Sequence, residues 1–131
     1  MAIDHIGIPV ANCDRSRDFY EQALAPLGFK LTLKMGPQDT ISGGNAAAFG
    51  SEGEEGSFWI GDNEQVGEGI HVAFPAETRD QVDEFYRAAI AAGGKDNGAP
   101  GLRRNYSPNY YAAFVFDPDG HNIEAVCYAE R

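Results

Sequence analysis

His5 and His71 stand 71 − 5 = 66 residues apart, and around them the chain repeats itself without a gap. At that offset Ile6 meets Val72, Pro9 meets Pro75, Asp14 meets Asp80, Phe19-Tyr20 meets Phe85-Tyr86, and Gly28 meets Gly94. A repeat of this period means two copies of one supersecondary unit, each too small to bury its apolar face alone. The 131 residues therefore form one domain of two modules, about 1–62 and about 69–131, with the Asn63 to Gly69 stretch between them.

Each copy opens on a strand with period-two alternation: Ile6, Ile8 and Val10 on one face and His5, Gly7 and Pro9 on the other, then Ile70, Val72 and Phe74 against His71, Ala73 and Pro75. Both histidines thus sit among small or cyclic side chains, which leaves room for something else on that face. Amphipathic helices follow, with stripes Phe19, Ala23, Leu24, Leu27 and Val82, Phe85, Ala89, Ile90. Thr78-Arg-Asp-Gln81 reads as a capping box, and Gly93-Gly94 as a left-handed exit. Further strands are expected at 30–35, 46–49, 57–60, 110–116 and 122–128, the last two joined by the Asp117-Pro-Asp-Gly120 turn. The breakers in Asp96-Asn-Gly-Ala-Pro-Gly101 leave only a short edge strand or a loop there. The fold class is α+β: two βαβββ modules around one concave mixed sheet, with the helices outside.

Twenty acidic against ten basic side chains give a formal charge of −10, which repels phosphate backbones and anionic lipid, so nucleic acid and membrane are not expected partners and a small-molecule substrate is. No apolar run approaches the ~20 residues of a membrane span and no leader-like segment opens the chain, so the expected location is cytoplasmic. Cys13 and Cys127 are expected as free thiols.

Three side chains carry the chemistry: His5, His71 and Glu124. Two imidazoles and a carboxylate brought to one face by pseudo-twofold packing suit a divalent first-row metal (Fe, Mn, Zn or Ni) with positions open for substrate. The same offset carries Glu124 back to Phe58, which cannot coordinate, and alternation puts Trp59 on the opposite face. Three protein ligands are then expected, with Phe58 as an aromatic wall. The 102–111 segment places Arg103 and Arg104 where they can pair an anionic substrate group, with Tyr106 and Tyr110 as proton donors and Tyr111 beside the substrate. Glu124 is both ligand and candidate base. His121 is expected to bond within its hairpin or face solvent.

The segments Asp4-His5-Ile6-Gly7-Ile8, Arg17-Asp18-Phe19-Tyr20, Leu27-Gly28-Phe29, Gly69 to Phe74 and Phe116 to Glu124 resemble the vicinal oxygen chelate superfamily of glyoxalases, extradiol dioxygenases, fosfomycin-resistance transferases and bleomycin-binding proteins. The resemblance covers nearly the whole chain. It implies paired βαβββ modules, a metal held by His5, His71 and Glu124, and a homodimer that completes the sites. Glyoxalase I carries a fourth ligand where the offset puts Phe58, so the His-His-Glu set looks more like the dioxygenase and fosfomycin branches. The implied function is a metal-dependent enzyme (lyase or isomerase, ring-cleaving dioxygenase or thiol transferase) acting on a substrate chelated through adjacent oxygens. The alternative is a metal-free binding or sequestration protein of the bleomycin-resistance type.

Overall fold

The computed structural model describes residues 3–130; residues 1, 2 and 131 at the ends of the two modules lie outside the described residues. Module 1 runs β1 (Ile6–Pro9), α1 (Cys13–Leu24), a single 3-10 turn (Ala25–Leu27), β2 (Lys30–Met35), β3 (Ala46–Gly50) and β4 (Phe58–Gly61). Module 2 runs β5 (His71–Pro75), α2 (Arg79–Ala91), β6 (Lys95–Leu102), β7 (Tyr111–Phe116) and β8 (Asn122–Cys127). The α+β fold of two βαβββ modules is therefore observed.

The helices begin where their caps dictate. The Asn12 side chain accepts the Arg15 N–H at the start of α1, and Thr78 and Gln81 form the reciprocal capping box of α2. Pro26 in the 3-10 turn and Gly28 at φ 86° end the first helical segment. Ile90, assigned to the buried stripe of α2 from spacing, is instead 37% exposed, because α2 turns only Val82, Phe85 and Ala89 fully inward.

The strands make two four-stranded sheets, ordered β1-β4-β3-β2 and β5-β8-β7-β6, rather than one continuous curved sheet. In each, the first and last strands of the module pair in parallel, which leaves β1 and β5 as unpaired edges. The expected short strand or loop after Gly94 is in fact the longest strand, β6, with eight residues. Its breakers are absorbed by register shifts at Asp96/Gly98 and Gly98/Gly101, and the strand lies at the sheet edge, where bulges and proline are tolerated.

The two helices pack on each other and on the inner faces of the sheets, so one core serves both modules. Aromatic rings cross the module boundary: Phe58 lies edge-on to Tyr20 at 4.9 Å and to Phe74 of β5 at 5.1 Å, and Phe29 meets Phe74 at 5.4 Å. Phe58 is 1% exposed, so it is a core residue and not a wall of the site. Phe58→Ala should cost about 3–5 kcal/mol in urea unfolding, the range for a deleted buried aromatic ring; a loss below about 1 kcal/mol would show that the ring is not holding the modules together.

A polar latch closes the same boundary from the β7–β8 turn. Asp117 accepts the Tyr20 hydroxyl at 2.5 Å, Asp119 accepts the Arg15 guanidinium at 3.1 Å and the Ala11 N–H at 3.2 Å, and His121 Nε2 donates to the Pro9 carbonyl at 2.7 Å. His121 is thus neither solvent-facing nor confined to its hairpin: it is 2% exposed and reaches into module 1.

Candidate functional site

In module 2, register sorts the side chains into rows across the sheet face opposite the helix. One row is Ala73, Glu124, Phe114 and Gly98; its neighbour is His71, Asn122, Phe116 and Lys95. Alternation in β7 and β8 sends Ala113, Val115, Ile123 and Ala125 to the core, so Phe114 and Glu124 take the open face. Glu124 is 2% exposed there. A carboxylate so removed from water requires compensating partners.

It has two. His71 Nε2 lies 3.0 Å from Glu124 Oε1, and the Tyr110 hydroxyl donates to Glu124 Oε2. The other ring nitrogen of His71, Nδ1, is 3.1 Å from the Asn122 carbonyl oxygen. A carbonyl only accepts, so Nδ1 carries a proton and Nε2 is the nitrogen turned toward the carboxylate oxygen. Two acceptors at that distance repel unless a proton or a cation lies between them. Backbone anchoring of the distal nitrogen is also how metal-ligating histidines are oriented. A 3.0 Å separation is moreover that of two ligands bonded at about 2.1 Å in adjacent positions around one octahedral ion. The donor set fits a divalent metal.

Burial and the bond to Glu124 hold the Tyr110 phenol far above its usual range, so it stays protonated and donating at neutral pH. Tyr106 packs edge-on to Tyr110 at 4.9 Å and is 62% exposed, and Tyr128 flanks Tyr110 on another side at 5.3 Å. Tyr106 thus belongs to an aromatic patch around Tyr110 rather than to the carboxylate. Tyr111, expected beside the substrate, points to the helix face: it donates to Asp83 at 2.6 Å with Arg79 over its ring, and that bond raises its pKa to about 12. Arg103 lies over the Phe114 ring, at 5.5 Å from its centroid, while Arg104 is exposed.

His5 is not brought to this cluster within one chain. Its ring is 61% exposed and bonded to Asp4 at 2.7 Å, and among the described residues no set of metal-binding atoms joins it to His71 and Glu124. Such a set does form from Asp117, Asp119 and His121, all within 4.8 Å, but their polar atoms are engaged with protein donors and acceptors in the latch.

On the open face of module 1 the position that matches Glu124 is not a carboxylate. Gly7 pairs with Trp59 as Ala73 pairs with Glu124, so Trp59, not Phe58, is the counterpart of Glu124. The offset is 73 − 7 = 66 at the first strand but 124 − 59 = 65 at the last. The expected orientations of Phe58 and Trp59 are therefore exchanged, and neither ring can coordinate a metal. Trp59, Gly7, Pro9, Ala46 and Gly61 line a shallow depression of about 300 Å³. A cleft of about 330 Å³ between the β1 and β5 edges is lined by Ile6, Phe58 and the strand His71–Pro75. Phe114, which stacks on His71 at 6.2 Å, escaped the sequence reading; alternation in Tyr111–Phe116 carried the signal, since it puts Phe114 opposite Glu124.

Comparison with known proteins agrees with this fold. The family model Glyoxalase/Bleomycin resistance protein/Dioxygenase superfamily matches residues 2–125. A solved glyoxalase/bleomycin resistance protein from Albidiferax ferrireducens T118 is 29% identical, with TM-score 0.73 over 96% of this chain and 98% of that one. A mutant glyoxalase I from Zea mays is 26% identical, with TM-score 0.73 over 96% of this chain and 46% of its own. A glyoxylase/bleomycin resistance protein/dioxygenase domain from Frankia sp. EAN1pec, 19% identical with TM-score 0.73 over 98% of both chains, shares the fold. No curated protein matches the sequence. With a family model spanning almost its whole length and both modules in place, the chain belongs to the glyoxalase/bleomycin resistance protein/dioxygenase superfamily.

Proposed function

We propose that this chain is a divalent-metal-dependent enzyme acting on a small substrate chelated through adjacent oxygens, and that two copies assemble so that His5 of one completes the His71–Glu124 pair of the other. The observation that carries the reading is His71 Nε2 set 3.0 Å from the buried Glu124 Oε1 with its Nδ1 anchored on the Asn122 carbonyl, the spacing of two adjacent ligands of one cation. When bound, an Fe, Mn, Zn or Ni ion supplies Lewis acidity and stabilises negative charge that develops on substrate oxygens. The chain's own residues do the rest. Asn122 fixes the tautomer of His71, Tyr110 holds the second oxygen of Glu124 and keeps a proton at hand, and Phe114 walls the cluster on its β6 side. The free buried thiols Cys13 and Cys127 accord with a cytoplasmic setting, and no helix of the described residues is long and apolar enough to cross a membrane.

Elemental analysis after purification without chelator tests the reading directly. Wild-type protein should hold about one metal ion per chain, and His71→Ala and Glu124→Ala should hold almost none, since losing one ligand of a three-residue set removes most of the affinity. Catechols, 2-oxoaldehyde–thiol adducts and epoxide antibiotics then sort the reaction among dioxygenase, lyase and transferase types. The second reading, a metal-free sequestration protein, draws on Trp59 standing where a fourth ligand would stand and on the apolar face around it. Wild-type protein that stays metal-free after reconstitution with all four ions, yet binds small molecules, would establish that reading instead.

A further inference from the structure

We propose that the Arg103 guanidinium is an anion subsite of the same site, so that the substrate carries an oxyanion group in addition to the oxygens that reach His71 and Glu124. The proposal deepens the metalloenzyme reading and rests on it for the position of those oxygens, but the subsite itself stands on Arg103.

Arg103 is fixed on the open face of module 2. Its side chain folds back along β6, which ends one residue before it; Nη2 donates to the Ala99 carbonyl at 2.8 Å, and the guanidinium lies over Phe114. Phe114 is also the ring that stacks on His71, so the cation and the imidazole share one aromatic neighbour, at 5.5 Å and 6.2 Å from its centroid. Two glycines make this possible. A Cβ at Gly98 would lie 3.1 Å from Nη2 and 3.0 Å from the Phe114 ring, and one at Gly101 would lie 3.1 Å from Nη1. The φ of +150° at Gly98, which side-chain-bearing residues rarely adopt, comes with the bulge there. The irregular strand that looked unsuited to a sheet is what seats the guanidinium.

What the guanidinium lacks is a counter-ion. Arg15, Arg17 and Arg87 all pair with carboxylates, in a chain with twice as many acidic as basic groups. Among the described residues no carboxylate pairs with Arg103, and its one side-chain hydrogen bond uses one of five donors. An ordered, half-buried guanidinium with donors to spare matches a planar carboxylate or a tetrahedral phosphonate or phosphate, which it can grip through two parallel N–H bonds.

Two titrations decide it. In metal-stripped protein, phenylphosphonate and benzoate are titrated by calorimetry against wild type, Arg103→Gln and Arg103→Lys. In metal-loaded protein, 3,4-dihydroxybenzoate is compared with catechol, which offers the same adjacent oxygens without the anion. Wild type should bind at least one of the two simple anions, the stronger one naming the oxyanion type, and should prefer 3,4-dihydroxybenzoate about tenfold or more. Arg103→Gln should weaken anion binding about tenfold and bring the preference to about one, with melting temperature and metal content unchanged; Arg103→Lys should keep part of both. Gly98→Ala, which crowds the guanidinium without removing its charge, should move both in the same direction. Undiminished anion affinity in Arg103→Gln, or no anion binding by wild type, overturns the subsite whatever the metal content. A metal-free wild type with intact, Arg103-dependent anion binding overturns the metalloenzyme reading and leaves the subsite standing.

Discussion

Asp117→Ala should lose about 3–5 kcal/mol in urea or thermal unfolding, the largest stability loss expected for any single polar side chain in this protein. Asp117 is 4% exposed and accepts three bonds: the Tyr20 hydroxyl at 2.5 Å and the N–H groups of Asp119 and His121, each at 2.9 Å. Alanine would strand all three donors, and Tyr20, with 0% exposure, has no route to water. Burial, reinforced by the adjacent carboxylate, holds the Tyr20 phenol well above its ordinary range, so its hydroxyl remains a donor across any pH at which the protein is handled. Asp117→Asn keeps one acceptor oxygen, and the Tyr20 hydroxyl can rotate to accept from the new amide, so it should cost only about 1–2 kcal/mol. Asp119→Ala should cost less than Asp117→Ala, because its Arg15 partner is half exposed and solvent screens the pair. A melting temperature for Asp117→Ala within about 2 °C of wild type would mean that the turn does not hold the modules together.

That latch marks where the sequence was legible and where it was not. The repeat, both helices, the capping box of α2, and the strands flanking the Asp117–Gly120 turn are local patterns, written within a few residues, and they reappear at the expected places. The same local logic failed for β6. A sheet edge forgives bulges that a central strand would not, and edge position depends on tertiary pairing that no window of residues contains. The exchange of Phe58 and Trp59 has a similar cause. One residue more between β1 and β4 than between β5 and β8 reverses which side chain faces the core, since the side-chain period in a strand is two. His121 was misjudged because its partner, the Pro9 carbonyl, lies 112 residues away and is a backbone atom with no sequence signature. At the site, His71 and Glu124 meet on one sheet face, but His5 does not join them within one chain, the bond from Tyr110 to Glu124 had no signal in the sequence, and the Asn122 carbonyl that orients the imidazole became visible only with the β5–β8 register.

The second large effect concerns metal content in mixed assemblies. His5→Ala and His71→Ala should each abolish metal binding when made alone, yet co-refolding the two variants in equal amounts should restore about one quarter of the wild-type metal and activity. In the proposed isologous dimer each site would take His5 from one copy and His71 with Glu124 from the other. A mixed pair then concentrates both lesions in one site and leaves the second site intact, and random pairing makes about half of all dimers mixed. The geometry of one chain motivates this arithmetic. The β1 edge, which starts just after His5, and the β5 edge that begins at His71 belong to separate sheets, and the ring of His5 is 61% exposed with Asp4 as its partner. An imidazole so placed is free to serve a neighbouring copy, whereas the pair of His71 and Glu124 is already assembled within 3.0 Å. Each variant should also raise the metal content of the other in proportion to the fraction of mixed dimers, so varying the mixing ratio should trace a parabola with its maximum at equal amounts. Metal that never rises above that of the separate variants, while mass measurement shows mixed dimers, would place all three ligands within a single chain. Metal retained in full by His5→Ala alone would remove His5 from the site and leave a ligand set drawn from module 2 alone.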